Sequence, residues 1–478
     1  MTTPGTQIVT RAAPPSRSGP SATGTWHVAA LAERGPTDSP RMLLNLGDYD
    51  KNFGKNRLFT QRDAIEAHFR NGGNRVNFQR FVGPAATLAT VALPGASLAL
   101  SLSVDGVGAG PVPFLVEVTV DGSTFRLVIY ESGVAVQTSP PLASTADAAA
   151  WALTSPYVRV RATGSATPIV TTAGGVAIAG GADDRVSVTD VHRVSAVNRI
   201  PKGDGPGQVS IPGATTTDAH VGLAAHALVN NRFPVMDLPN TAVEADLISV
   251  ADAFRAAATD DEEGYSFLVE GWHTIPGVTV GTTRTVPPSA IVSALMAKHD
   301  ALTGNPNEPA AGVNGIPSFS LGIARANWSD AARGRLNAAG VNVFRFVGGE
   351  NRLYGYRTGA NVDGPSAPWL NAANSRLRMA IQADADTLAE PFVFSQITKS
   401  KIAEYNGVLS GLLLGYYSLG ALFGGSPAEA FIVDTGSAVN TADRIAARYL
   451  SAVMGLRMSE FAEVVYMEFV KVPVTEVL

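Results

Sequence analysis

Between Gln208 and Ala301 short runs of β-forming residues alternate with helix-forming ones, and this alternation restricts the fold more than any other feature of the chain. Strands are expected at Gln208–Ile211, Phe233–Asp237 and Ser266–Glu270, with helices at Asp218–Asn230 and Val243–Ala258 between them. A strand that returns through a helix must cross over and lie parallel, so the segment predicts βαβ units. After Pro287-Pro288 a further helix spans Ser289–Ala301, and Gly304–Pro317 reads as loop.

The rest of the chain changes period around this segment. A strand at Trp26–Ala32 leads into a loop through Gly35, Pro36 and Pro40. Thr60 and Asp63 form a capping-box pattern that opens a helix to Asn71, stopped by Gly72-Gly73, and Arg75–Val82 follows as a strand. From Pro84 to about Arg199 the pattern alternates with period two: Leu98, Leu100, Leu102 and Val104 precede Asp105-Gly106, and Val116, Val118 and Val120 precede Asp121-Gly122. Strands at Phe125–Tyr130 and Tyr157–Arg161 and a helix at Ser144–Leu153 complete a β-rich segment.

In the last third Ser329 caps a helix ended by Gly340, and Val341–Val347 with Leu353–Arg357 predicts a hairpin around Gly348-Gly349. Helices at Leu370–Leu388 and Thr398–Leu419 flank an expected strand at Pro391–Ser395. A strand at Ala430–Val433 and a helix at Asn440–Ala447 precede two terminal strands, Tyr449–Leu456 and Phe461–Val472. In the second of these Val464, Tyr466, Glu468 and Val470 alternate with Glu463, Val465, Met467 and Phe469, so neither face is wholly polar. Such a strand is expected inside a sheet, and its unpaired backbone points to pairing with another copy of the chain. At the other end, Pro4, Pro14, Pro15 and Pro20 leave only Gln7, Ile8, Val9 and Thr10 as strand-like, in a segment that reads either as a disordered tail or as an extended arm.

Composition narrows function by exclusion. With 36 basic against 41 acidic residues and no basic block, nucleic acid is not an expected partner. The absence of cysteine removes disulfides, thiolate metal sites and thiol nucleophiles. No apolar segment resembles a signal peptide or is long enough to span a bilayer, so membrane insertion is not expected and the protein reads as soluble and made in a cytoplasm. A low charged fraction, 16%, reads as surface covered by partners.

Chemistry-bearing patterns are weak. Gly203, Gly205 and Gly207 precede a strand, where a dinucleotide loop must follow one, and Pro206 removes an amide. Asp237 ends a strand but reads as a capping or turn residue, and His220 and His226 lie on different faces of one helix. Asp261, Glu262 and Glu263 read as a solvated loop, and Asn327-Trp328-Ser329 matches a glycosylation sequon. No catalytic residue, cofactor site or metal ligand is assigned. An enzyme would need titratable groups converging at the strand ends near Ile211, Asp237 and Glu270.

Taken in order, Pro4-Gly5, AERGP at Ala32–Pro36, NGG at Asn71–Gly73, VPPS at Val286–Ser289, LNAAGVNVFRF at Leu336–Phe346, YGYRT at Tyr354–Thr358 and the terminal MSEFAEVVYMEFV resemble the contractile tail sheath proteins of bacteriophages. The resemblance implies a non-enzymatic α+β multidomain subunit. Its assembly domain would be built from both chain ends (25–83 with 318–460), with a β-rich insertion (84–199), an α/β middle domain (200–317) and arms at 1–24 and 461–478. It further implies self-association as stacked six-fold rings around a tail tube protein, with baseplate and tail terminator proteins as further partners. The sheath would be assembled in the host cytoplasm, reside in the virion tail, and contract to drive the tube through a bacterial envelope. The sheath of a bacterially encoded phage-like injection particle fits the same motifs. In such proteins both arms add strands to neighbouring subunits, which assigns intersubunit pairing to Gln7, Ile8, Val9, Thr10, Val464, Val465, Tyr466, Met467, Glu468, Phe469 and Val470.

Overall fold

The computed structural model describes residues 23–55, 61–93, 98–105, 114–162, 169–463 and 466–467. Its central sheet contains β1 (Thr25–Leu31), β2 (Arg41–Leu43), β3 (Arg75–Phe81), β4 (Gln208–Ser210), β5 (Phe233–Asp237), β6 (Phe267–Val269) and β7 (Val341–Asn342). The order is β7-β6-β5-β4-β1-β3-β2, parallel throughout except for β2 at one edge. Because β1 pairs with both β3 and β4, residues 25–83 and 200–317 share one sheet, and the boundary that periodicity places near 200 runs through it.

Both faces are covered, which is why these strands read as continuous apolar runs. One face buries Ala29, Val209 and Met236 under α3 (Asp190–Val197), α4 (Thr217–Asn230), α5 (Glu244–Ala257) and α7 (Asp330–Ala338), through Val197, Leu223, Phe254 and Leu336. The other buries Trp26, Val28, Val235 and Phe267 under α1 (Leu46–Phe53), α2 (Gln61–Arg70), α6 (Pro288–Thr303) and α8 (Ala372–Ala389). Each large apolar side chain buried this way contributes about 1.5–3 kcal/mol. Of the glycines at 203, 205 and 207 the last serves packing: a Cβ on Gly207 would sit 2.1 Å from the Thr25 carbonyl oxygen, so only glycine lets this turn approach β1, whereas Gly203 and Gly205 have open space.

The β-rich segment folds as two small sheets around its own core of Phe114, Val116, Leu127, Ile129 and Tyr157. It leaves the main body at Gly83 and returns at Asp183 and Asp184. There the Gly83 amide donates to the Asp183 carbonyl at 2.8 Å and the Ala85 amide to Asp184 at 2.9 Å. The helix α3, inside the range read as β-rich, packs on the main sheet instead.

Other expectations need correction. The loop after Pro40 contains β2 and α1, the latter capped by Asn45, whose side chain accepts from the Asp48 amide. Val341–Val347 is divided: Val341–Asn342 joins the sheet, and Phe344–Val347 pairs with Glu350–Leu353 across Gly348-Gly349. No strand forms at Pro391–Ser395, where a 3-10 turn at Glu390–Phe392 is followed by Phe394 with φ of 63°. Asp261, Glu262 and Glu263 lie in a short capped helix, Asp260–Gly264, with Glu262 and Glu263 buried; the Glu263 carboxylate accepts from the Asn361 amide and the Ser366 hydroxyl.

The core also holds six histidines: His27, His68, His220, His226, His273 and His299. Their rings replace water with local partners. His68 stacks on Trp26 at 4.6 Å, and His220 lies 3.0 Å from the Asp237 carbonyl. Burial holds all six imidazoles below their ordinary pKa, His68, His226 and His273 down to about 3, so each is folded in its neutral form.

Candidate functional site

The most open part of the described structure is a C-terminal unit of α8, α9 (Lys399–Ser418), β8 (Phe431–Asp434) and β9 (Val453–Leu456). The two strands form an antiparallel ribbon with Phe431 opposite Leu456 and Asp434 opposite Val453. Leu413, Tyr416, Leu422 and Ala430 bury one side against α8. Asn406 of α9 ties the ribbon down by donating to the Val433 carbonyl at 2.8 Å. Among the described residues no third strand lies beside either outer edge, and Ile432 and Val453 are exposed. A two-stranded ribbon is marginal on its own, and its outer edges offer backbone donors and acceptors to an incoming strand, although on the β8 side the Val433 carbonyl already accepts from Asn406.

Gly407, Gly411 and Gly415 lie at successive i, i+4 positions on an exposed face of α9, with open space where each Cβ would be. Each glycine costs about 1 kcal/mol relative to alanine in a helix interior, and in return leaves the backbone approachable.

The chain leaves the ribbon as a strap over the body. Ser459 donates its amide to the Ala421 carbonyl at 3.1 Å and accepts at its own carbonyl from Asn307 at 2.9 Å. Glu460 accepts from Asn371 and Asn374 at the start of α8, at 2.6 and 2.7 Å. Phe461 packs edge-on against Tyr356, and Glu463 accepts a two-pronged contact from Arg357, with Nε to Oε1 at 2.9 Å. The Glu463 contact raises the Arg357 pKa. Phe461–Glu463 is therefore held at home by side chains and is not a strand. Sequence reasoning missed this strap, although YGYRT contains its receptors, Tyr356 and Arg357.

Of the residues assigned to intersubunit pairing, Tyr466 and Met467 are described: both are exposed and in no strand. Gln7, Ile8, Val9, Thr10, Val464, Val465, Glu468, Phe469 and Val470 lie outside the described residues, as does Thr60 of the capping-box pattern. At the N-terminal side the first described residue, Thr23, is clamped by its hydroxyl to Asp300 at 2.6 Å and by its carbonyl to Gln208 at 3.0 Å.

In the same unit lies a cleft of about 770 Å³ bounded by Ala389, residues 392–397, Tyr405 of α9, Ile445 and residues 448–450. Phe392, Val393, Phe394, Ile397, Ile445 and Tyr449 line it, and Phe394 is fully exposed. Phe394 and Arg448, on opposite walls, both adopt left-handed backbone, with φ of 63° and 68°. For side chains other than glycine that conformation costs on the order of 1–2 kcal/mol per residue.

The strand ends of the main sheet are occupied by structural contacts. Asp237 accepts from the Gly213 amide at 2.8 Å and from the Ser289 amide and hydroxyl at 2.7 Å, which fixes the start of α6. Burial raises its pKa to about 6 against the opposing effect of those donors. Glu270 is ion-paired with Arg325 and, chiefly through burial, also raised. His220 and His226 face different partners, the Asp237 carbonyl and Arg232. Among the described residues no group of three or more His, Asp or Glu could hold a metal ion, and no helix is long and apolar enough to cross a membrane.

No protein-family model and no curated protein matches the sequence. The fold matches solved structures along nearly its whole length. The contracted helical sheath of the anti-feeding prophage superposes with a TM-score of 0.57 at 16% identity, over 98% of this chain and 99% of that one. The contracted PVC sheath complex of an extracellular contractile injection system gives 0.58 at 15% identity, over 98% of both chains. The sheath tail protein of Listeria innocua gives 0.57 at 12% identity, over 88% and 90%. The chain has the fold of contractile tail sheath proteins.

Proposed function

We propose that the chain is the subunit of a contractile sheath, a structural protein that polymerises by exchanging terminal strands between copies. The observation that carries the reading is the β8–β9 ribbon, which among the described residues has no third strand on either edge, together with Tyr466 and Met467 standing exposed past the strap that ends at Glu463. Gln7–Thr10 and Val464–Val470 of other copies would add to these edges by main-chain hydrogen bonds. Donor and acceptor surfaces differ, so each contact is head-to-tail and propagates instead of closing as a dimer.

On this reading residues from both chain ends form the assembly domain and the β-rich segment projects outward. Six-fold rings stack around a tube protein between a baseplate and a terminator, after assembly in a cytoplasm. The strand joints persist while the bodies rotate, which is what a two-packing switch requires. The glycine face of α9 supports close approach of another backbone, and the structural engagement of Asp237 and Glu270 supports a non-enzymatic role. The likeness over 98% of the chain to sheaths of the anti-feeding prophage and PVC systems favours a phage-like injection particle over a phage tail.

Purified full-length protein is expected to form rings or tubes by itself, visible by negative-stain electron microscopy and as a fast boundary in sedimentation velocity. A monomer that persists at high concentration with both arms intact would refute the reading.

A further inference from the structure

The buried ion pair between Asp300 of α6 and Arg376 of α8 lies between Thr23 and the C-terminal strap. On one side Asp300 Oδ2 accepts from the Thr23 hydroxyl at 2.6 Å and from Arg376 Nη2. On the other, Arg376 Nη1 donates to the Tyr356 hydroxyl at 3.0 Å, and the Tyr356 ring meets Phe461 of the strap with centroids 6.3 Å apart. One guanidinium thus separates the two anchorages.

The pair is joined by a single prong. Asp300 Oδ1 and Arg376 Nε are both buried, and among the described residues neither has a hydrogen-bond partner. A carboxylate and a guanidinium commonly meet through two parallel hydrogen bonds, and a buried polar atom left unpaired is costly. The same two groups therefore have a second arrangement open to them, in which Nε and Nη2 face the two carboxylate oxygens. Thr23, by donating to Oδ2, and Tyr356, by accepting from Nη1, hold them in the first.

We infer that Asp300 and Arg376 form a two-position coupler between Thr23 and the strap. With Thr23 docked, the contact is single-pronged and Nη1 steadies Tyr356 against Phe461. When Thr23 leaves, the carboxylate turns, the contact becomes two-pronged and Nη1 withdraws from Tyr356, so the strap loosens. Coupling of this kind is reciprocal: loosening the strap weakens the hold on Thr23 by the same factor. It acts within one chain and holds whether or not the chain polymerises; on the sheath reading, it relays a pull on one end of a subunit to the other.

Hydrogen exchange of dilute full-length protein reads the strap through the Ser459 amide, which donates to the Ala421 carbonyl. Thr23→Val removes the hydroxyl at nearly constant volume and is expected to speed Ser459 exchange on the order of fivefold, as loss of one member of a coupled network does. Thr23→Ser keeps the hydroxyl and should behave as the unaltered chain. Tyr356→Phe, which cuts the relay, should speed Ser459 exchange by itself, and adding Thr23→Val to it should change nothing further there. A structure of the Thr23→Val protein should show Arg376 Nε within hydrogen-bond reach of Asp300. Ser459 exchange unmoved by Thr23→Val, or moved as much in the Tyr356→Phe background, overturns the coupler, as does a pair that stays single-pronged. None of these results bears on the sheath reading, which stands or falls on assembly of the unmodified protein.

Discussion

Removal of residues 464–478 is expected to leave a subunit that melts cooperatively but no longer polymerises, whereas removal from Phe461 onward should also cost the subunit about 1–3 kcal/mol. The two cuts differ because the strap ends at Glu463. Phe461 packs, partly buried, against the core around Tyr356 and Phe267, so it contributes less than the about 1.5–3 kcal/mol of a fully buried side chain. The Glu463 contact with Arg357 is partly exposed and adds up to about 1 kcal/mol after screening. Tyr466 and Met467, the described residues beyond Glu463, are exposed, so the shorter truncation is expected to spare the subunit's core. Sedimentation velocity and thermal melts of both truncations check this. A molten or insoluble product from the shorter cut would mean that residues 464–478 complete their own subunit.

A steep loss of stability is expected as pH falls below about 6.5. The six buried histidines are neutral in the folded chain, with pKa values pushed down by burial, and free to protonate in the unfolded one. Below the unfolded value the unfolded state binds more protons, so stability falls with pH. Each such group contributes about 1.4 kcal/mol per pH unit until its own folded pKa is reached. Asp237, raised to about 6, and Glu270, also raised, act in the opposite sense, because the folded state holds their protons more tightly. Six groups outweigh two. The net slope is therefore a loss of stability on acidification, set against a domain's whole stability of about 5–15 kcal/mol. Melting temperatures recorded from pH 7.5 down to 4.5 should be level at first and then drop sharply. A level profile throughout would show that these imidazoles are hydrated in solution.

Local pattern made the parallel sheet legible. The strand at Phe233–Asp237 matches its expected bounds, and the helices that follow β4, β5 and the Pro287-Pro288 pair fall within two residues of theirs. What escaped was decided by distant partners. The three-residue strand β2 is too short to carry a period and exists because β3 pairs with it. The strap looked like a strand because Phe461 and the residues after Glu463 are β-formers, but Asn371, Asn374 and Arg357 decide its path from a hundred residues away. Glu262 and Glu263 looked solvated because a run of consecutive acids normally is, and the partners that bury Glu263 come from Asn361 and Ser366.

Several resemblance motifs prove to be fastening points. Ser289 of VPPS meets Asp237 on β5, and Arg34 of AERGP reaches Glu131 of the β-rich segment at 2.7 Å. Asn342 of LNAAGVNVFRF binds the Arg357 backbone in both directions at 2.8 Å, which sets the guanidinium that holds Glu463. The candidate assembly edge had no comparable signal, since an unpaired edge is a property of what is missing beside a strand and no residue type spells it.

The most direct measurement is electron cryomicroscopy of the assembled protein, read at the two outer edges of the Phe431–Asp434 and Val453–Leu456 ribbon. The account predicts a propagating helical array in which strands donated by other copies extend the ribbon on both sides. A ribbon left bare at both edges, or a closed two-fold dimer, would contradict it.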